Sequence, residues 1–143
     1  MRIDCKATVV IGDVSRGGLT RGDYRAWDHD LGLQEKYLPC GIVEEDRAQL
    51  SITFGSSYKT SDCIVDALEA WWAALDEVEQ VAMAKLQITM DNGPESSGVR
   101  TQFLHRMVQL VDTLGKPIQS LSYPPYHSKY NPIERCWGIL ELH

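Results

Sequence analysis

The chain has 143 residues, 43% of them hydrophobic and 24% charged, and a formal net charge of −6 at pH 7. That is enough for one domain with a real core, with no run of eighteen apolar residues to cross a membrane and no signal-peptide layout in its opening MRIDCKATVVIG. The acidic balance argues against a free-standing DNA-binding module, which ordinarily carries a basic surface, but not against a nuclease, whose metal-binding carboxylates count as negative until cations arrive.

Residues 3–11, IDCKATVVI, are rich in Val, Thr and Ile and are expected as a strand, with Asp4 at its beginning. Residues 12–40 hold glycines and charges without a sustained period and read as a long loop, to which Arg16, Arg21 and Arg25 give a basic edge. Residues 41–43 and 48–54 are expected as a hairpin turning at 44–47, with Leu50, Ile52 and Phe54 alternating as a half-buried strand should. Ser61-Asp62 starts a helix expected to run to about Val81, with Ile64, Leu68, Trp71, Leu75 and Val78 forming one apolar stripe. Trp71 and Trp72 are read as core packing.

Residues 85–90 read as a short apolar strand ending at Asp91. A helix over about 99–114 carries Phe103, Met107, Leu110, Val111 and Leu114 on its inner face and stops at Gly115 and Pro117. Residues 117–122 are the last strand. Then comes YPPYHSKYNPIERCWG, residues 123–138, where Pro124 and Pro125 forbid helix. Asn131 suits an N-cap and Pro132 the first helical position, so a closing helix begins there. The four cysteines are far apart and form no CxxC pair, which makes a zinc or redox motif improbable and a reduced, cytoplasmic protein the default. The order of three strands, helix, strand, helix, strand, helix predicts an α/β fold, a mixed five-stranded sheet with helices packed on it.

Three acids sit where chemistry could use them, and each also has a bland explanation. Asp4 could be surface charge near a terminus. Asp91 opens DNGPE, and Asp-Asn-Gly is ordinary turn chemistry. Glu134 stands three residues past Asn131, where a capping box would use it. Yet acids at strand ends near a break in strand order are a common site position in open α/β sheets.

A resemblance favours the second view. The proline-rich approach, Asn131-Pro132-x-Glu134 and Trp137 resemble the last acidic motif of DDE transposases of bacterial insertion sequences and their mariner-like relatives. IDCKA is similar to that family's first-aspartate strand, and LQITMDNGPE to its second. The element order is that of the RNase H-like fold these enzymes share. The resemblance implies a metal-binding triad of Asp4, Asp91 and Glu134. Two Mg²⁺ or Mn²⁺ ions would serve as cofactor, Asp4 bridging both and the other two acids holding one each. It implies DNA, as transposon ends and target, for a partner, with a homodimer compatible and no membrane. The location would be cytoplasmic, at the nucleoid when bound to DNA.

The implied reaction is hydrolysis at a transposon end followed by attack of the freed 3′-hydroxyl on target DNA. The 42 residues between Asp91 and Glu134 (92–133) are more than is usual in relatives. Relatives also carry an N-terminal helix-turn-helix region. The chain is therefore expected to be one catalytic domain, 1–143, lacking that region and the end of its last helix. Lys129, Arg135, His127 and Arg16 are candidate DNA contacts, and Lys6, on the face of Asp4, could balance the acids. Asp28-His29-Asp30 makes a poor metal cage, and Ser15-Arg16-Gly17-Gly18 lacks the lysine and helix of a phosphate loop. Two other readings stay open: a different RNase H-like nuclease, acting on RNA–DNA hybrids or junctions, and a non-catalytic remnant.

Overall fold

A computed structural model of the chain describes residues 1–11, 35–55, 60–91, 93, 101–124 and 131–140. Its strands are β1 (Arg2–Cys5), β2 (Val9–Ile11), β3 (Glu35–Glu44), β4 (Gln49–Gly55), β5 (Leu86–Met90) and β6 (Ile118–Ser122). Its helices are α1 (Ser61–Ala74), α2 (Glu77–Ala82), α3 (Thr101–Leu114) and α4 (Pro132–Leu140).

The sheet is mixed. β3 pairs antiparallel with β4 and with β1, whereas β1–β5 and β5–β6 are parallel. β2 prolongs β1 along β3, so the six segments occupy five strand positions in the order β4-β3-β1-β5-β6. With helices packed on it, this is an α/β fold of RNase H-like arrangement. The reason lies in the connections. A short turn makes the β3–β4 pair antiparallel, and helical crossovers make the β5 and β6 pairings parallel.

One register slip interrupts the first strand. Along β1 the partners run Arg2↔Val43 to Cys5↔Cys40, but β2 resumes at Val9↔Tyr37. Four steps on one strand thus match three on the other, which inserts one extra residue between them as a bulge does. Val9 thereby comes to the sheet face shared by Tyr37, Gly41 and Asp4.

The main core lies on the opposite face. Ile3, Cys5, Leu38, Cys40, Ile42, Leu86, Ile88 and Met90 meet Ile64, Val65, Leu68 and Trp71 of α1 and Phe103, Met107, Leu110 and Leu114 of α3. Cys5 and Cys40 face each other there with their sulfurs 2.9 Å apart. Far apart in sequence, they are neighbours across β1 and β3, and both are free thiols. The contact with Cys5 and burial hold the Cys40 thiol far above its ordinary pKa, so it stays protonated.

Several expectations are corrected in detail. The helix expected to run to Val81 is two helices. Thr60, not Ser61, is the N-cap of α1, its side chain accepting from the Cys63 N–H. α1 ends at Ala74, and Asp76 starts α2 with a reciprocal capping box to Glu79. Asp and its N3 glutamate offered the backbone a fresh start that outweighed continuing the stripe. In consequence Val78 is 77% exposed. Leu50 and Phe54 of β4 are also exposed, because β4 is an edge strand and α4 lies over β1 and β3. β3 runs far beyond the expected 41–43. Among the described residues no helix is long and apolar enough to cross a membrane.

Candidate active site

Strand alternation sets the first acid. Ile3 and Cys5 are buried in the core, so Asp4 between them points to the other face. It is half-buried and lies directly across from Gly41 of β3. On its other side β5 runs parallel to β1, with Arg2 level with Thr89. Continued two residues along both chains, that register puts Asp91, just past the end of β5, on the same row as Asp4. Asp91 directly follows β5 and is half-buried.

The third element arrives from the far edge. After β6 the Tyr123 N–H bonds the Met90 carbonyl at 3.1 Å, closing the ladder at the residue before Asp91. Arg2, on the face of Asp4, donates to the Tyr123 hydroxyl and stacks over its ring at 5.5 Å. The chain then passes to α4, which packs on β1 and β3. Asn131 is buried and accepts from the Ile133 N–H at 3.3 Å, the N-cap expected of it. Ile133 and Trp137, one turn apart, are buried against the sheet. The Trp137 indole N–H donates to Asp4 Oδ2 at 3.3 Å. Gly41 makes room for that ring: a Cβ there would sit 2.9 Å from Trp137 Cζ2.

Glu134 is three residues before Trp137, hence one turn N-terminal of the side chain bonded to Asp4. Its side chain is exposed. Among the described residues its carboxylate has no hydrogen-bond or ion-pair partner, so no bond to Asn131 makes it a capping-box residue. Arg135 is likewise exposed on α4. Lys6 lies 5.9 Å from the Trp137 ring centroid, a cation beside the indole that bonds Asp4.

Asp91 thus follows the strand parallel to the one that bears Asp4, and the helix bearing Glu134 is fastened to Asp4 through Trp137. Among the described residues no three His, Cys, Asp or Glu side chains stand close enough together to hold a metal ion. The donor set is all carboxylate, hard oxygen that suits Mg²⁺ or Mn²⁺ better than softer metals. His127, Lys129 and Arg16 lie outside the described residues, as do Asp28-His29-Asp30 and Ser15-Arg16-Gly17-Gly18. A cavity of about 510 Å³ opens elsewhere, at the start of β1, lined by Arg2, Glu44, Arg47, Trp71 and Lys85 among others and by none of the three acids.

Sequence reasoning missed Gly41, Arg2 and Tyr123, and gave Trp137 no role. Gly41 opens the expected strand 41–43, and a glycine in a strand signals close approach. Nothing in the sequence pairs Arg2 with Tyr123.

The family described as Rhodopirellula transposase DDE domain matches residues 1–143, the whole chain. No curated protein and no solved structure matches it.

Proposed function

The chain belongs to the Rhodopirellula transposase DDE-domain family, and on that premise we propose that it cleaves and rejoins DNA at a site made of Asp4, Asp91 and Glu134. A transposase-type function and DNA as partner follow from the family itself. The finer reading is metal-dependent hydrolysis at a transposon end, then strand transfer to target DNA. The observation that carries it is the parallel pairing of β1, which bears Asp4, with β5, which ends just before Asp91, together with Glu134 one turn from the tryptophan that bonds Asp4.

Each residue then has a distinct task. Asp4, on the strand that lies beside β5 and under α4, would be the central ligand, and Asp91 and Glu134 would hold the cations from their own elements. When bound, two such cations supply an activated water or hydroxyl and a sink for charge on the leaving oxygen. Phosphate contacts come from lysines and arginines, for which Arg135, Lys129 and Arg16 are the candidates, with His127 beside them.

Nicking of supercoiled plasmid in Mn²⁺ at low salt tests this. Wild type should nick slowly, and Asp91→Asn, which keeps the shape and removes the charge, should not. A second reading is a member that binds DNA without cutting it, favoured by the lack of a metal-sized cluster among the described residues. It predicts no nicking by either protein and no response to metal.

A further inference from the structure

Trp137 does more than fill space. It is 4% exposed, and its indole N–H reaches Asp4 Oδ2 at 3.3 Å. The backbone opposite Asp4 is built to admit the ring. Gly41 is its strand partner, and a Cβ there would meet Cζ2 at 2.9 Å and Cη2 at 3.0 Å. Gly41 makes room for the ring, and a ring needed only to fill that room could be a phenylalanine; the indole adds a donor that reaches the carboxylate.

We infer that Trp137 is the positioning residue of Asp4, and this rests on the reading of Asp4 as a metal ligand. An aspartate carboxylate turns about a broad terminal torsion. The indole N–H takes one lone pair of Oδ2 and so sets the carboxylate plane before a cation arrives. Partners of this kind, hydrogen-bonded to a ligand rather than to the metal, are commonly worth 10- to 100-fold in metal affinity. An opposing effect exists. The N–H draws charge from the carboxylate and so weakens its pull on a cation. Positioning and charge withdrawal therefore predict opposite signs when the N–H is removed. Because Trp137 belongs to α4, the same bond fixes where the first turn of that helix presents Glu134.

The test is Mn²⁺ titration by calorimetry on wild type, Trp137→Phe and Asp4→Asn, with thermal melting of each. Trp137→Phe keeps an aromatic ring and loses the donor. The expected result is a folded Trp137→Phe protein whose Mn²⁺ affinity is about tenfold or more below wild type. Unchanged or tighter binding by that folded variant overturns the inference while leaving the metal reading intact. If wild type binds no Mn²⁺, or Asp4→Asn binds as wild type does, the metal reading itself fails and the inference falls with it. Should Trp137→Phe not fold, Gly41→Ala carries the test. Its methyl would meet the ring at 2.9 Å, so the ring must shift from its present contact with Asp4, while the N–H is kept. The same weakening is expected, and wild-type affinity in the folded Gly41→Ala protein overturns the inference.

Discussion

Glu134→Gln separates a catalytic acid from a helix cap. The structure sets the size of each effect. Glu134 is exposed, and among the described residues its carboxylate has no hydrogen-bond or ion-pair partner. The N-cap bond is made by Asn131, whose Oδ1 accepts from Ile133 at 3.3 Å. Removing the Glu134 charge therefore forfeits only its attraction to the helix N-terminus, about 0.3–1 kcal/mol at an exposed site. For a chain of this size a loss of about 0.5 kcal/mol shifts the melting temperature by about 2 °C. Nicking, by contrast, should fall to background, because an amide is a far poorer ligand for a hard dication than a carboxylate. The assay pairs a circular-dichroism melt with plasmid nicking in Mn²⁺. A folded Glu134→Gln protein that nicks like wild type would refute the role assigned to Glu134.

Other outcomes follow from the same geometry. If Asp4, Asp91 and Glu134 hold a cation in the native chain alone, Mn²⁺ at 100 times its dissociation constant should stabilise the fold by about 2.7 kcal/mol. An unchanged melting temperature in millimolar Mn²⁺ would count against a metal site. Trp71→Phe should destabilise by about 1–3 kcal/mol, the usual cost of leaving a buried polar group unpaired. Glu44 is 7% exposed, its Oε1 accepts from the Trp71 indole at 2.8 Å, and Arg47 lies only within 3.6 Å of Oε2. A urea midpoint equal to wild type would show that this bond contributes nothing. Val78→Lys should leave stability within about 0.5 kcal/mol, as exposed sites do, and a loss beyond 2 kcal/mol would contradict the exposure of α2.

Local physics was legible in the sequence where one rule acted alone. The apolar alternation of LQITM and the four-residue steps of Phe103, Met107, Leu110 and Leu114 give β5 and the inner face of α3. Asn131-Pro132 announces the start of α4 in the same way. Two rules in competition were harder to judge. The stripe through Leu75 and Val78 argued for one helix, and Asp76 with Glu79 argued for a new one. Burial across the sheet was not legible at all. Leu50 and Phe54 alternate like core residues, but whether a face is covered depends on where α4 lands. The bulge after β1 has no local signature either, since it is a property of two strands together. For the site, residue type alone left each acid with a bland explanation, and the resemblance to the DDE motifs singled them out. The bond from Trp137 to Asp4 joins residues 133 apart, and no periodicity reports such a contact.

The topology explains why these acids come from such distant stretches. β1 is the strand where the sheet changes character, antiparallel to β3 on one side and parallel to β5 on the other. A parallel neighbour ends at the same edge of the sheet as β1 itself. An acid just beyond β5 therefore comes level with an acid on β1, which an antiparallel neighbour would achieve only by register. The third acid needs a different route. α1 and α3 pack on the face opposite Asp4. The helix carrying Glu134 lies on the other face, where α4 packs on β1 and β3. The approach is close because Gly41 offers no side chain at the row of Asp4. A side chain at Gly41 would therefore meet α4, at Trp137 and Ile133, without touching an acid.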